Sequence, residues 1–146
     1  MRICFTGHRR IDESLVEHSI RQYLSGLAHD TEVIVGGAIG VDTVAGEVAL
    51  DLGLELWVCL PFHPRIMCKF WSEEQKLRLK HILKHARRTT IVNQSYSVAG
   101  YQLRNQRMVD NSHQVIAWFD GSRGGTFNCV QYAQQVGKSV VNLYSA

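Results

Sequence analysis

Arg104 and Asn105 are the residues best suited to hold a charged ligand, and the chain also carries two glycine turns, Gly36-Gly37-Ala38-Ile39-Gly40 and Gly124-Gly125-Thr126. A guanidinium takes phosphate or carboxylate bidentately. Glycines that open onto a helix expose backbone N–H groups that lack intrahelical partners, and the helix dipole there favours an anion. Arg9 and Arg10, which follow Thr6-Gly7-His8, add positive charge. Asp42 lies just beyond the first turn. It either complements the dipole, worth ~0.3–1 kcal/mol, or accepts hydrogen bonds from a ribose or base. Asp120 has the same two readings. Trp71, Tyr101 and Phe62 could stack a nucleobase or serve as core plugs.

Other chemistries fit less well. Neither turn matches GxGxxG after the first strand, and neither carries the lysine of GxxxxGK[ST], which argues against ordinary dinucleotide dehydrogenases and ATPases. His81 and His85 are spaced i, i+4 as in zinc helices, but no HExxH pattern or acidic third ligand accompanies them. With Lys80 and Lys84 alongside, they read as a solvated basic face, and no metal is expected. Cys4, Cys59, Cys68 and Cys129 form no CxxC pair, and three of them fall in apolar patterns, which points to reduced, packed thiols in a cytoplasmic setting.

Strands alternating with helices must position these groups. Arg2–Gly7 reads as a strand and residues 12–28 as a helix marked by Ile11, Leu15, Ile20, Tyr23, Leu24 and Leu27. Val33–Val35 leads into the first glycine turn. Val41, Val44, Ala45, Val48, Ala49 and Leu52 then recur at helical spacing. Leu54–Leu60 is a third strand, and the proline-containing, aromatic segment 61–71 reads as a loop that folds over a ligand or meets a partner subunit. Ser72 and Gln75 suggest a capping box for a helix with Leu79, Ile82, Leu83 and Ala86 inward. Residues 89–92, 115–119 and 139–144 read as strands and 101–111 as a helix. A last helix opens at Gly124, with Val130, Ala133 and Val136 inward. Continuous apolar strands in this alternation predict an α/β fold: one Rossmann-like, doubly wound, mainly parallel sheet with helices on both faces. Ligands bind beyond the carboxyl ends of such strands.

The 146 residues suit a single domain, 1–146, with no internal repeat. The formal charge of +3 favours a phosphorylated ligand yet is too small to argue for nucleic acid. No apolar run is long enough for a membrane helix, and no signal-peptide pattern opens the chain.

The ordered set Thr6-Gly7-His8-Arg9, Gly36–Asp42, Pro61-Phe62 with Trp71, Arg104-Asn105-x-x-Met108-Val109-Asp110 and Gly124-Gly125-Thr126 resembles the SLOG superfamily, closest to its YpsA-like branch. The resemblance covers essentially the whole chain. It implies a fold shared with LOG-type phosphoribohydrolases and the DprA core, and kinship with sensor domains for NAD-derived or nucleotide signals in antiphage defence. It also implies homodimers or tetramers. In the LOG pattern Arg104 and Met108 match, but the catalytic glutamate falls on Cys129, whose thiol has neither the charge nor the reach to replace it.

The expectation is a binding protein for a nucleotide or an NAD- or ADP-ribose-derived molecule. It would act as a stand-alone sensor or as a sequestering protein, including a phage sponge for a defence signal. Thr6, Gly7, His8, Arg9, Gly36, Gly37, Ala38, Gly40, Asp42, Arg104, Asn105, Asp120, Gly124, Gly125 and Thr126 would form the site, with no further cofactor. Substituting Arg104 by alanine should then weaken binding with little loss of stability. The alternative is an enzyme cleaving a nucleotide N-glycosidic bond through Asp42, Arg104 and Asp120, with Asp110 a further candidate carboxylate. Single-stranded DNA binding ranks third.

Overall fold

The computed structural model describes residues 1–145, so the last position of the expected 1–146 unit lies outside the described residues. Six strands form one sheet: β1 (Arg2–Gly7), β2 (Glu32–Val35), β3 (Glu55–Leu60), β4 (Arg88–Ile91), β5 (Gln114–Trp118) and β6 (Ser139–Asn142). Their spatial order is β4-β3-β2-β1-β5-β6, and every neighbouring pair is parallel. The helices are α1 (Glu13–Ser25), α2 (Val41–Asp51), α3 (Pro64–Met67), α4 (Glu73–His85), α5 (Ala99–Asp110) and α6 (Gly125–Gln135).

Alternation along each strand divides the core between two faces. Ile3, Phe5, Val33, Val35, Leu56, Val58 and Leu60 pack with α1, α2 and α4. Cys4, Ile34, Trp57, Cys59 and Val115 pack with α5 and α6. The sheet is thus covered on both sides, the doubly wound arrangement expected from the apolar runs. The chain winds from β1 outward to β4, then returns to place β5 against the other side of β1. This reversal opens a crevice between the carboxyl ends of β1 and β5, where parallel sheets bind ligands.

Several local expectations are corrected. The segment 61–71 contains the short helix α3, started by His63, whose Nδ1 accepts the Arg65 N–H at 3.1 Å, and by Pro64 at the first helical position. Val136 is exposed beyond the end of α6, and Leu15 is exposed on α1, where Val16 takes the buried place. Only half of the capping box forms. Ser72 accepts the Gln75 N–H at 3.2 Å, while Gln75 Oε1 is buried without a partner. Strand β6 stops at Asn142, two residues early, because the Asn142 side chain takes over the ladder. It accepts from Phe119 N and Tyr144 N and donates to Phe119 O.

Candidate functional site: a cleft at the carboxyl edge of the sheet

The two glycine turns fold differently. The first is buried and already holds an anion, the Asp42 carboxylate. Asp42 Oδ2 accepts the N–H of Gly36 at 2.9 Å and of Ala38 at 3.4 Å, and Thr43 Oγ1 donates to Ala38 O at 2.8 Å. Gly40, at φ 92°, lies against the His8 carbonyl and the Arg9 backbone, and Val41 N donates to His8 O at 3.3 Å. The amides of Gly36, Ala38 and Val41, where the first turn was expected to bind phosphate, are therefore spoken for. Gly37 presses on Leu60 in the core.

The second turn is open. A Cβ built on Gly124 or Gly125 would meet nothing within 4 Å, and α6 starts without a side-chain cap or an acidic residue in its first turn. Its leading N–H groups are free to take an external acceptor.

Between the turns stands Arg104, 6% exposed on α5. Its Nη1 donates to Gly36 O and its Nε donates to Asn105 Oδ1 at 2.9 Å, while Asn105 Nδ2 reaches Gly125 O at 3.5 Å. Gly36 thus gives its amide to Asp42 and its carbonyl to Arg104, which links a buried carboxylate and a buried guanidinium through one peptide unit. Asp42 is 7% exposed, and burial raises its pKa despite Arg104 and the two amides; burial likewise lowers that of Arg104. Asp42 Oδ1 and Arg104 Nη2 make no hydrogen bond among the described residues, although both residues line the cleft.

The cleft measures about 420 Å³, within the range of small-molecule sites. Thr6, Gly7, His8 and Arg9 form one side, Ala38, Asp42, Arg104 and Asn105 the floor, and Gly125 and Thr126 the α6 side. Met67, Trp71 and Tyr101 complete the wall. Phe62 does not contribute. It is fully buried, with its ring 5.2 Å from Tyr96 and 5.1 Å from Tyr101, and so supports Tyr101 from behind. Sequence reasoning missed Thr43. A hydroxyl one residue after the first-turn aspartate, facing a glycine turn, is the available signal.

The structure does not bring Asp120 or Asp110 to the cleft wall. Asp120 Oδ1 accepts from Ser122 N at 2.9 Å and Ser122 Oγ at 2.6 Å, and lies 2.9 Å from His8 Nε2. The Ser122 hydroxyl and amide lower its pKa, with His8 adding to the effect, so it stays ionised at an exposed turn. Asp110 accepts from Tyr132 Oη at 2.7 Å. Cys129 is fully buried, and burial pushes its thiol up to about 11. It is a neutral packing group where the LOG pattern has a carboxylate. His81 and His85 stack at 4.4 Å on the outside of α4, and no group of three or more His, Cys, Asp or Glu able to hold a metal converges among the described residues.

The family model for YpsA, described as the YspA SLOG family, matches residues 3–142. The chain belongs to that family. It is 32% identical over 119 residues to the uncharacterized SPbeta prophage-derived protein YoqJ of Bacillus subtilis (strain 168), a match covering 70% of this chain and 68% of YoqJ. Among solved structures it resembles DNA processing protein A (DprA) from Streptococcus pneumoniae, with a TM-score of 0.75, 18% identity and 95% of this chain against 48% of that one. DprA from Helicobacter pylori gives a TM-score of 0.73 at 17% identity, over 96% of this chain and 63% of that one. The chain spans about half of the first DprA and under two thirds of the second, and the likeness at these identities is one of fold. The Helicobacter structure is described as showing a single-stranded DNA binding mode of that protein. No described helix is long and apolar enough to cross a membrane.

A pH dependence follows from Asp42. Its native pKa lies above the ordinary 3.8, so the folded state binds this proton more tightly than the unfolded chain does. The contribution of Asp42 to stability is therefore greatest at low pH and falls as pH rises from 3.8 through the raised native value. The stability of the wild type minus that of Asp42→Asn, from urea midpoints across that window, should decline with pH and then level. A difference that rises with pH would mean that Arg104 outweighs burial.

Proposed function

We propose that the cleft binds a phosphorylated nucleoside derivative of the mononucleotide or ADP-ribose class and holds it without cleavage. The observation that carries this reading is a donor and an acceptor on two buried residues, Arg104 Nη2 and Asp42 Oδ1, which have no hydrogen-bond partner among the described residues and line a cleft beside an uncapped helix start. A sugar phosphate complements all three features. Its ribose hydroxyl donates to Asp42, its phosphate accepts from the first amides of α6 and from Arg9, and its base lies against Trp71 and Tyr101. A carboxylate held through one oxygen, with the other open to the cleft, favours ligands that donate to it.

Retention rather than hydrolysis is supported by Cys129 and by the cleft lining, in which Asp42 is the only carboxylate among the described residues while Asp120 stands behind His8. Asp42 is tied through Oδ2 to the first turn. A sensor or sequestering role follows from binding without turnover, and relatives of prophage origin such as YoqJ suit the latter.

The test is a thermal-shift and calorimetric titration with AMP, ADP-ribose and NAD, with base release followed chromatographically. The expected result is a rise in melting temperature with at least one of these ligands, lost in Asp42→Asn, and the ligand recovered intact. Base release that disappears in Asp42→Asn would replace the binder with an N-glycosidase. The DprA fold favours one further reading. If a labelled single-stranded oligonucleotide binds with a salt-dependent affinity that Arg9→Ala weakens, and no nucleotide shifts the melting temperature, the partner is DNA.

A further inference from the structure

A second concavity lies between α3 and α4. It encloses about 390 Å³ and is lined by Pro64, Arg65, Cys68, Lys69, Lys76, Leu79, Lys80 and Leu83. Cys68 and Leu79 are buried and Leu83 is half-buried, so the floor is apolar. Lys76 and Lys80 stand one turn apart on α4, parallel to Leu79 and Leu83, while Arg65 and Lys69 rise from the opposite bank. No carboxylate lines the groove, although the chain has 13 acidic residues. Of the four cations of the groove, only Lys76 has an acidic partner among the described residues, Glu73 at 3.4 Å. Arg65 Nε turns instead to His63 Nδ1, at 3.5 Å.

The lining decides the chemistry of an occupant. Apart from the weakly polar Cys68 thiol, its polar side-chain groups are all cationic donors, so a ligand must bring acceptors and negative charge. No aromatic ring lines it, so nothing there selects a nucleobase. An apolar floor between two banks of ammonium and guanidinium groups suits a molecule with an aliphatic body and an anionic head, with the lysine stems covering the chain and their heads meeting the acid. We propose that this groove is a second ligand site, for a free medium-chain carboxylate. It shares no residue with the cleft around Asp42 and does not depend on the function proposed there.

The test uses decanoate as probe and amide NMR shifts of the full chain as readout. Decanoate should shift Cys68, Leu79 and Leu83 with saturable 1:1 binding, and 1-decanol should bind at least tenfold more weakly. The pair Lys76→Glu and Lys80→Glu should weaken decanoate at least tenfold, as should Arg65→Glu with Lys69→Glu on the other bank, without altering the amide shifts of Asp42, Arg104 and Thr126 in the cleft. Two independent surface pairs keep the result readable should one of them fold poorly. The proposal fails if the shifts map to the cleft, if both charge-reversed pairs bind as the wild type does, or if decanol binds equally. It also fails in favour of membrane docking if decanoate leaves the groove unshifted while the protein sediments with phosphatidylglycerol vesicles in a manner abolished by Phe70→Ser, since Phe70 is 90% exposed beside Lys69.

Discussion

Arg104→Ala is expected to lower the melting temperature by roughly 6–20 °C, in addition to any effect on ligand binding. The sequence alone favours the opposite, an arginine whose loss weakens ligand binding with little effect on stability. The structure makes Arg104 a strut: it holds the Gly36 carbonyl, orients Asn105 toward Gly125 and supplies the positive charge nearest to Asp42. Removing one member of a buried charge pair leaves the other uncompensated, at a cost of about 3–5 kcal/mol. For a chain of this length each kcal/mol is worth roughly 2–4 °C. Two further results distinguish this account from simple loss of packing. The deficit should shrink at lower pH, because Asp42 loses its main opposing charge, its pKa climbs further, and the protonated acid needs no partner. The double variant Arg104→Met with Asp42→Asn should also recover much of the loss, since no isolated charge remains. Equal destabilisation at pH 5 and pH 8, with no recovery in the double variant, would show that Arg104 acts through its bulk alone.

Gly40→Ala is the second large effect. At φ 92° an L-residue is strained by ~1–3 kcal/mol, and the new methyl would also meet the His8 carbonyl and the Arg9 Cα, the latter at 2.7 Å. Both obstacles are backbone, so no rotamer change relieves them. Relief requires moving the β1–α1 connection, which carries His8 and Arg9 at the cleft edge. Gly53 is the control, with φ 74° and nothing within 4 Å of a Cβ. Gly53→Ala should cost only the conformational strain, ~1 kcal/mol, and Gly40→Ala at least ~2 kcal/mol more, read as the gap between urea midpoints. Nucleotide binding should fall in the Gly40 variant and persist in the Gly53 variant. Equal midpoints would mean that the β1–α1 connection yields freely.

The fold was legible because β1, β2, β3 and β5 contain unbroken apolar runs (Ile3–Phe5, Val33–Val35, Leu56–Leu60 and Val115–Trp118), and such runs survive only with both faces covered. Strand order was not. Residues 89–92 read as a strand, but nothing local in Arg88–Ile91, which is largely exposed, tells an edge strand from a central one. The two glycine turns look alike on paper and differ in one respect that the sequence does contain. Asp42 lies in the first turn of α2, where its side chain can fold back onto the preceding amides, whereas α6 has no acidic residue there. The burial of Arg104 was legible too, in spacing that went unused. Gly100, Arg104, Asn105, Met108 and Val109 follow one another at i, i+4, i+5, i+8 and i+9, the inward stripe of α5. Charge made Arg104 look like a surface residue, and periodicity put it inside. The position of Asp120 was beyond local reading, because it depends on His8 arriving from the other end of the chain.

The central place of β1 has a consequence for how the protein comes off the ribosome. Residues 2–7 obtain one neighbour when residues 32–35 emerge, but the other side of the strand stays bare until residues 114–118 have been made. The α6 amides follow later still. Throughout that interval the nascent chain presents one open edge of an apolar strand, the feature that chaperones shield and aggregates recruit. The cleft takes lining residues from β1 and from Gly125 and Thr126, so it comes into existence only once those late residues have emerged, and under the proposed function a shorter nascent chain can neither hold the ligand nor compete for it.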